Sequence, residues 1–497
     1  MVGGWRGPHG RRGSCEEPAP PAPRLTPPTV TRRRILPVSE SPRFSADLGR
    51  SLLARWRAGK PRPTEAGVNP VQLGLRLFEE IHPGTAANIL RFEAEVSGHV
   101  DTALLSTVLD ELALRHAVLR TTFPPHDRTA CVVDPEARPD LTVVDLTHLE
   151  ASVGRRTALA RANARAIEPM DLGTGPLWRV TVWKLSDTTS RLQVLAHHIV
   201  ADGWSLGVFL DELSTRYAGQ PLAPAFPLPP VEATPSREDL ATWRKRLAGA
   251  PPLSLPTDRP RPGTRRFRSA HADVAIGADL LRRVRRLAHR EDVTPFMVLL
   301  SALHLALSRT AGHSDITVGS PMAMRERHRA PGAIGPLATM LALRTDTTSA
   351  RTLRDLLHAI RDTCLDAYTR SHVPFEAVVE QAGRSGASLF DVLFVLQPEI
   401  PGIRLGDLSV RPLAMAPATI RNDCELYLWQ SKDGITGFLG YDTDLFSAET
   451  ASLLADRFLA ALTAITDDPS CEVRDVGVLS VGECVRLGGV SVSSVGV

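Results

Sequence analysis

From about Val68 onward, apolar residues recur in two rhythms that replace one another along the chain. Strict alternation through Ile89-Leu90-Arg91-Phe92-Glu93-Ala94-Glu95-Val96 predicts a strand with one covered face. Leu104, Leu105, Val108, Leu109, Leu112 and Leu114 fall at helical spacing and predict a helix from Asp101 to Leu119, capped by Asp101. The same reading gives a short helix over Val71–Phe78, strands at Thr121–Phe123 and Ala130–Val133, a helix over 151–167, strands over 177–185 and 191–197, and a helix-like run from Leu206 to Tyr217. A Pro-rich stretch, 220–235, then breaks the pattern. Beyond it come a short helix over 237–249, Pro-rich sequence to Pro262, a strand over 267–275 and helices over 278–291 and 294–310. Strands over 315–322 and 338–345, helices over 352–369 and 374–382 and a strand over 390–397 follow. A group of strands between 404 and 443, with Asp433-Gly434 as a turn, leads to a last helix over 447–466. Strands and helices alternate in both halves, which predicts two α/β lobes, 65–235 and 236–480.

Composition changes this picture mainly at the ends. Residues 1–64 are rich in Pro, Arg and Gly, cannot build a core and are expected to be disordered, apart from a helical patch at Ala46–Trp56. The first sixty residues carry twelve Arg and Lys against four Asp and Glu, although the net charge of the whole chain is only +3. Residues 481–497 read as a tail or linker remnant. Aromatics make up 5% of the chain, which argues against a base-stacking nucleic-acid binder. The six cysteines (Cys15, Cys131, Cys364, Cys424, Cys471, Cys484) are scattered, with no ligand-like spacing. That pattern favours free thiols in a reducing cytoplasm over a disulfide frame or a metal site. No apolar run approaches the length of a membrane span, and no apolar segment follows the N-terminal arginines to make a secretion signal.

The candidate chemistry lies in His197-His198-Ile199-Val200-Ala201-Asp202-Gly203-Trp204-Ser205. A strand precedes it and a helix follows. Adjacent histidines on a strand end face opposite sides of the sheet, so only one can face a given cleft. Asp202, past the strand end, can fold back to hold the turn, an arrangement that suits an imidazole of fixed geometry. A metal reading is weak, because no third ligand stands at usual spacing.

This stretch matches the HHxxxDG signature, and the chain resembles the condensation domains of nonribosomal peptide synthetases. Other segments match in the family's order. Arg115-His116-Ala117-Val118-Leu119-Arg120-Thr121-Thr122-Phe123 is similar to RHExLRTxF, Asn69-Pro70-Val71-Gln72 to SPxQ, and Val373-Pro374-Phe375-Glu376 to VPFE. Phe390–Gln397, Tyr441–Phe446 and the joining stretch Ala250–Pro260 match as well, and together they cover about 68 to 480.

The resemblance implies an α/β fold of two chloramphenicol-acetyltransferase-like lobes, a V-shaped pseudo-dimer with a central tunnel. It implies an acyltransferase that joins a donor thioester to the amine of an acceptor, both tethered by phosphopantetheine to peptidyl or aryl carrier proteins. No cofactor or metal is expected on the chain itself, and neither nucleic acid nor membrane is an expected partner. His198 is the candidate for contact with the amine, either as base or as a group that holds it. His197 and Asp202 frame it, and Gly203 offers an N–H to an oxyanion. Trp204 and Ser205 are expected to line the tunnel. Arg325 is the expected salt-bridge partner of Asp202, with Arg344 as second choice, and Arg115 is expected to support the loop. An ester-forming O-acyltransferase and a non-catalytic carrier-binding module are the alternatives.

The chain departs from the family at three places. The YxDYAVW segment is missing around Val231–Asp239, IGxFVNT becomes Ile334-Gly335-Pro336-Leu337-Ala338-Thr339, and RDxSRNPL shrinks to Arg384–Leu389. The first two lie near carrier and tunnel surfaces in the family. Leu487-Gly488-Gly489-Val490-Ser491 has the LGGxS form of a phosphopantetheine site, but lacks a helix of its own and reads as a chance match. No adenylation core or complete carrier domain is present, so carriers are expected in trans or from neighbouring synthetase modules.

Overall fold

The alternating run around Phe92 forms the middle of a six-stranded sheet in the first half of the chain. The computed structural model describes residues 64–229, 235–382, 389–398, 403–413 and 417–477. The expected N-terminal tail with its helical patch, residues 231–234, the Arg384–Ser388 part of the shortened motif, and the C-terminal tail with Leu487–Ser491 lie outside them. The first half supplies β1 (Thr64–Gly67), β2 (Ile89–Ser97), β3 (Thr121–Thr122), β4 (Ala130–Val133), β5 (Asp140–Asp145), β6 (Trp178–Ser186) and β7 (Thr189–His197). The second supplies β8 (Ser269–Ile276), β9 (Asp315–Ala323), β10 (Ala338–Asp346), β11 (Val392–Pro398), β12 (Ile403–Leu405), β13 (Leu408–Pro412), β14 (Cys424–Gln430) and β15 (Ile435–Asp442).

The first large sheet has the order β12-β13-β2-β7-β6-β5, and the second β10-β9-β11-β14-β15-β8. Two strands from the second half, β12 and β13, thus extend the first sheet. Val410 stands opposite Val96, and Val410 and Leu405 join the first lobe's core. This pairing covers an edge of β2 that would otherwise expose its backbone groups. Within the second sheet β9, β11 and β14 run parallel, so their carboxyl ends lie on one side.

Helix starts follow the expected cap chemistry. Asn69 caps the Pro70–Ile81 helix in a capping box with Gln72, and Asp101 caps Thr102–Arg115. The Asp101–Leu119 expectation is corrected at its end. The helix stops at Arg115, His116 turns away with φ −110°, and a 3-10 turn over Ala117–Arg120 follows. Beyond the helix end, buried His116 places Nε2 2.6 Å from Glu212 Oε2. In the second lobe the Pro295–Ala311 helix is buried on nearly every face beneath the sheet. Its His304 is a core histidine: Nε2 lies 2.9 Å from the Thr345 carbonyl, and burial lowers its pKa to about 4. Among the described residues no single helix is long and apolar enough to cross a membrane.

The short Phe375–Gln381 helix packs on the Pro70–Ile81 helix at Gly74, where any Cβ would overlap Glu376 Oε1. Glu376 Oε2 is buried with no hydrogen-bond partner among the described residues, and burial raises the carboxyl to about 7. The folded state therefore binds this proton more tightly than the unfolded chain. The resulting stability is complete at low pH and is lost as pH rises from about 4.5 through 7. Glu376→Gln, neutral throughout, is expected to unfold at higher urea than wild type at pH 8 and at nearly the same urea at pH 5. The same urea difference at both pH values would contradict this.

Candidate functional site

The site is built on the end of β7. Ile89 of β2 stands opposite His197, so the first sheet pins the strand end on both sides. The His197 N–H donates to the Leu177 carbonyl (2.8 Å) and the His198 N–H to the Asn88 carbonyl (2.7 Å). The chain then turns through Ile199-Val200-Ala201, all buried, into the Gly203–Tyr217 helix, for which Asp202 is the N-cap. The expected order of strand, turn and helix start is therefore present.

The two histidines differ as expected of strand neighbours. His197 is buried. Its Nδ1 accepts from the Ile199 N–H (3.0 Å), which leaves Nε2–H to face Glu79 Oε1 at 3.2 Å. The same Glu79 oxygen accepts from Asn88 Nδ2 (2.7 Å), and Asn88 Oδ1 accepts from Arg421 Nη1 (3.0 Å). His197 is thus one member of a connected polar chain. His198 is half-buried and carries no such carboxylate partner among the described residues. Burial lowers its pKa to about 3. The positive charge of Arg421 acts in the same direction, while Asp202 and a hydrogen bond with the Ala201 backbone oppose it. The ring is therefore neutral at physiological pH and holds one nitrogen lone pair.

Asp202 does not reach toward substrate. It is 4% exposed and meets Arg325, 1% exposed, in a two-pronged pair with both N···O distances 2.8 Å. Its oxygens also accept from the Ser205 N–H (2.9 Å) and the Leu337 N–H (3.1 Å). Arg325 bonds the carbonyls of Ala333 and Gly335 as well, so every element of this cluster is held by several others. Asp202 belongs to the first lobe, while Arg325, Gly335 and Leu337 belong to the second. The pair is a fastening between lobes as well as a brace for the histidine loop.

The shortened Ile334–Thr339 motif takes part through its backbone. The Gly335 N–H donates to Ser205 Oγ (3.0 Å), and φ 151° at Gly335 with Leu228 against its Cα leaves no room for a side chain. Loss of the family's aromatic and Asn therefore leaves these particular bonds in place. Leu228, from the Pro-rich linker, packs on Ala330, Ala333 and Leu337 and fixes this loop.

Three sequence expectations change here. Ser205 does not line a tunnel: it is buried, and its hydroxyl lies among Asp202, Arg325 and Gly335. Arg344 is not a partner of Asp202. It pairs with Asp315 across β9 and β10 and bonds the carbonyls of Arg246 and Ala248. Arg115 supports the site at one remove: its Nε reaches Glu212, on the helix that begins at Gly203, and its guanidinium meets the Ala223 carbonyl. Trp204 is 49% exposed, with its Nε1–H on the Pro331 carbonyl (2.9 Å) and its ring 5.8 Å from the Arg325 guanidinium. Gly203 is exposed at the first helical position, where a backbone N–H has no partner within the helix.

Several contributors were not among the expected site residues, two of them within matched segments. Gln72 donates to the Ile199 carbonyl (3.2 Å), which gives the Asn69–Gln72 motif a role in holding the loop. Gln397, at the end of β11, lies so near Gly203 that a Cβ there would sit 3.2 Å from its Nε2. Arg421, Asn88 and Glu79 lie far apart in the chain, and no local pattern marks them. Among the described residues no group of three or more His, Cys, Asp or Glu is placed to hold a metal ion.

Two α/β lobes fastened across a buried ion pair beside a neutral histidine define an acyltransferase-like scaffold. A family model, Condensation domain, matches residues 63–487, and the chain belongs to the condensation-domain family of nonribosomal peptide synthetases. It is similar to phosphinothricin tripeptide synthetase PhsB of Streptomyces viridochromogenes, 35% identical over 79% of this chain and 35% of that one. A linear gramicidin synthase from Brevibacillus parabrevis is 31% identical over 84% of this chain and 8% of its own length. The chain thus spans about a third or less of these synthetases. Among solved structures it is similar to the X-domain from teicoplanin biosynthesis, with TM-score 0.73 and 25% identity over 84% of this chain and 99% of that one. The first condensation domain of the CDA synthetase shares the fold, with TM-score 0.68 and 18% identity over 83% and 99% of the two chains. The fold is therefore the chloramphenicol-acetyltransferase-like pair of lobes that the sequence implied.

Proposed function

We propose that the chain forms an amide bond between a carrier-bound acyl or peptidyl thioester and the amine of a carrier-bound aminoacyl group. The observation that carries this reading is the placement of His198 at the strand end, beside the exposed start of the Gly203–Tyr217 helix, on a loop braced by the Asp202–Arg325 pair. The amine nitrogen attacks the thioester carbonyl, the tetrahedral intermediate collapses with loss of the pantetheine thiolate, and the amine proton ends on that sulfur. An already activated thioester needs no ATP. A free α-amine has a pKa near about 8, roughly five units above that of His198, so the imidazole is a poor base toward an ammonium. The amine therefore enters neutral, and the His198 lone pair accepts its hydrogen bond and orients it. The Gly203 N–H faces the developing oxyanion.

This assignment sets the pH dependence. His198 stays neutral as pH falls from 8 to 5, whereas the acceptor amine protonates. The rate of amide formation is expected to follow the acceptor amine's own ionisation, moving when acceptors of different amine pKa are compared. A fixed break near pH 6.5, the same for all acceptors, would contradict a neutral His198.

A recruitment role is the second reading. It is supported by the likeness to the teicoplanin X-domain, which is found in complex with OxyB, and by the shortened outer motifs. Purified protein mixed with pairs of loaded carriers, followed by mass spectrometry of the carrier-bound product, separates the readings. Amide-linked product supports the first, ester-linked product from a hydroxy-acyl acceptor supports an O-acyltransferase, and carrier binding without transfer from any cognate pair supports recruitment.

A further inference from the structure

We infer that Arg421 is a positioning residue for His198: it holds Asn88, and through Asn88 it ties the placement of the histidine to the meeting of the two lobes. The inference rests on the amide-forming reading, because it takes His198 as the group that orients the amine. Arg421 lies in the second lobe, on the segment that leads into β14, while Asn88 stands just before β2 in the first. Arg421 Nη1 donates to Asn88 Oδ1 (3.0 Å). Asn88 is fully buried, and three of its polar groups are engaged. Its carbonyl accepts the His198 N–H (2.7 Å), its Nδ2 donates to Glu79 Oε1 (2.7 Å), and its Oδ1 takes Arg421. Glu79 in turn faces His197 Nε2 (3.2 Å). One asparagine thus reaches both histidines, His198 directly through the backbone and His197 through Glu79.

Arg421 is itself anchored. Its backbone N–H donates to Glu425 Oε1 (3.0 Å), which also accepts from the Asn422 N–H (3.2 Å) and Nδ2 (2.9 Å). Glu425 is buried on β14, so the turn that carries Arg421 is fixed to the second sheet. The guanidinium lies 6.0 Å from the Phe78 ring of the Pro70–Ile81 helix, and Thr419 Oγ1 donates to the Ala86 carbonyl (3.1 Å). The second lobe therefore grips the histidine strand end at two places. Arg325 holds the turn after it through Asp202, and Arg421 holds the strand start beside it through Asn88. Without Arg421, Asn88 Oδ1 is left buried and unpaired, a cost that draws the residue toward another donor. The carbonyl that fixes the His198 N–H then moves as well. A displacement of about 1 Å at a reacting group costs up to roughly 100-fold in rate. Burial first, and then the charge of Arg421, also keep the imidazole neutral against the pull of Asp202.

The test compares Arg421→Met, which has no donor, with Arg421→Lys, which keeps one. With loaded carrier pairs, Arg421→Met is expected to lose at least about tenfold in kcat while KM for either carrier stays within about twofold. Arg421→Lys is expected to recover most of the lost kcat. Arg421→Gln, too short to reach Asn88, is expected to match Arg421→Met and serves in its place should that variant not fold. A second readout needs no turnover. Hydrogen exchange in the resting protein is expected to quicken at Ala196–Ile199 in Arg421→Met and to stay unchanged in the Pro295–Ala311 helix. Local quickening without amide formation by wild type keeps the hold on the histidine and removes the amide reading. The inference is overturned by full kcat in the Met and Gln variants of an active enzyme, by a Lys variant no better than Met, or by exchange that quickens equally throughout.

Discussion

Arg325→Ala is expected to lose about 3–5 kcal/mol of folding stability, because it leaves the Asp202 carboxylate buried without its counter-charge. Both partners are almost fully enclosed, so water cannot replace the missing guanidinium. The polar contacts of Arg325 go to Asp202, Ser205 and two carbonyls of the second lobe, and all are lost together, leaving Asp202 with only its neutral donors, the Ser205 and Leu337 N–H groups and the Ser205 hydroxyl. Asp202→Ala is expected to cost at least as much. It removes the same pair and also the N-cap of the Gly203–Tyr217 helix, worth about 1 kcal/mol more. Urea denaturation would show both variants with lowered midpoints, and carrier assays would show both with little activity, since the His198 loop loses its brace. Arg344→Ala breaks a half-buried pair with Asp315 and bonds to the Arg246 and Ala248 carbonyls, none of which touches Asp202, and is expected to leave the His198 loop in place. A stable and fully active Arg325→Ala would remove the fastening role.

The periodic pattern made most of the fold legible because it records burial, and burial is periodic along β2, β7 and the Thr102–Arg115 helix. It missed β5, an edge strand whose residues are partly exposed on both faces and which shows no clear alternation. It also missed that β12 and β13 join the first lobe. No local property of Ile403–Pro412 distinguishes pairing with β2 from pairing within the second sheet, because that choice is made by long-range topology. At the site, the resemblance placed Arg325 opposite Asp202, and the structure puts it there with Arg344 elsewhere. Ser205 was misread because position beside a motif says nothing of direction. On the first turn of a helix it points back to its cap, away from the cleft. Arg421 and Asn88 were illegible for the opposite reason: each is an ordinary polar residue whose role arises only where distant segments meet.

His198→Ala is the second large effect. The ring is half-buried, its hydrogen bond is with the Ala201 backbone, and it is no part of the Asp202–Arg325 cluster. Its removal is therefore expected to change stability by about 1 kcal/mol or less. Amide formation is expected to fall by about 100-fold or more, because the neutral amine loses the acceptor that orients it. His197→Ala is expected to behave in the reverse sense. It breaks the bonds to Ile199 and Glu79 inside the fold, so its first effect is on stability, with activity following. The contrast between adjacent histidines separates a residue that touches substrate from one that holds the strand end.

The most direct test is a single-turnover measurement with one pair of preloaded donor and acceptor carriers, comparing wild type with a folded His198→Ala protein at neutral pH. Wild type is expected to leave amide-linked product on the acceptor carrier, and the variant to form it at a rate at least about 100-fold lower. Equal rates from the two proteins would contradict a role for His198 in the reaction.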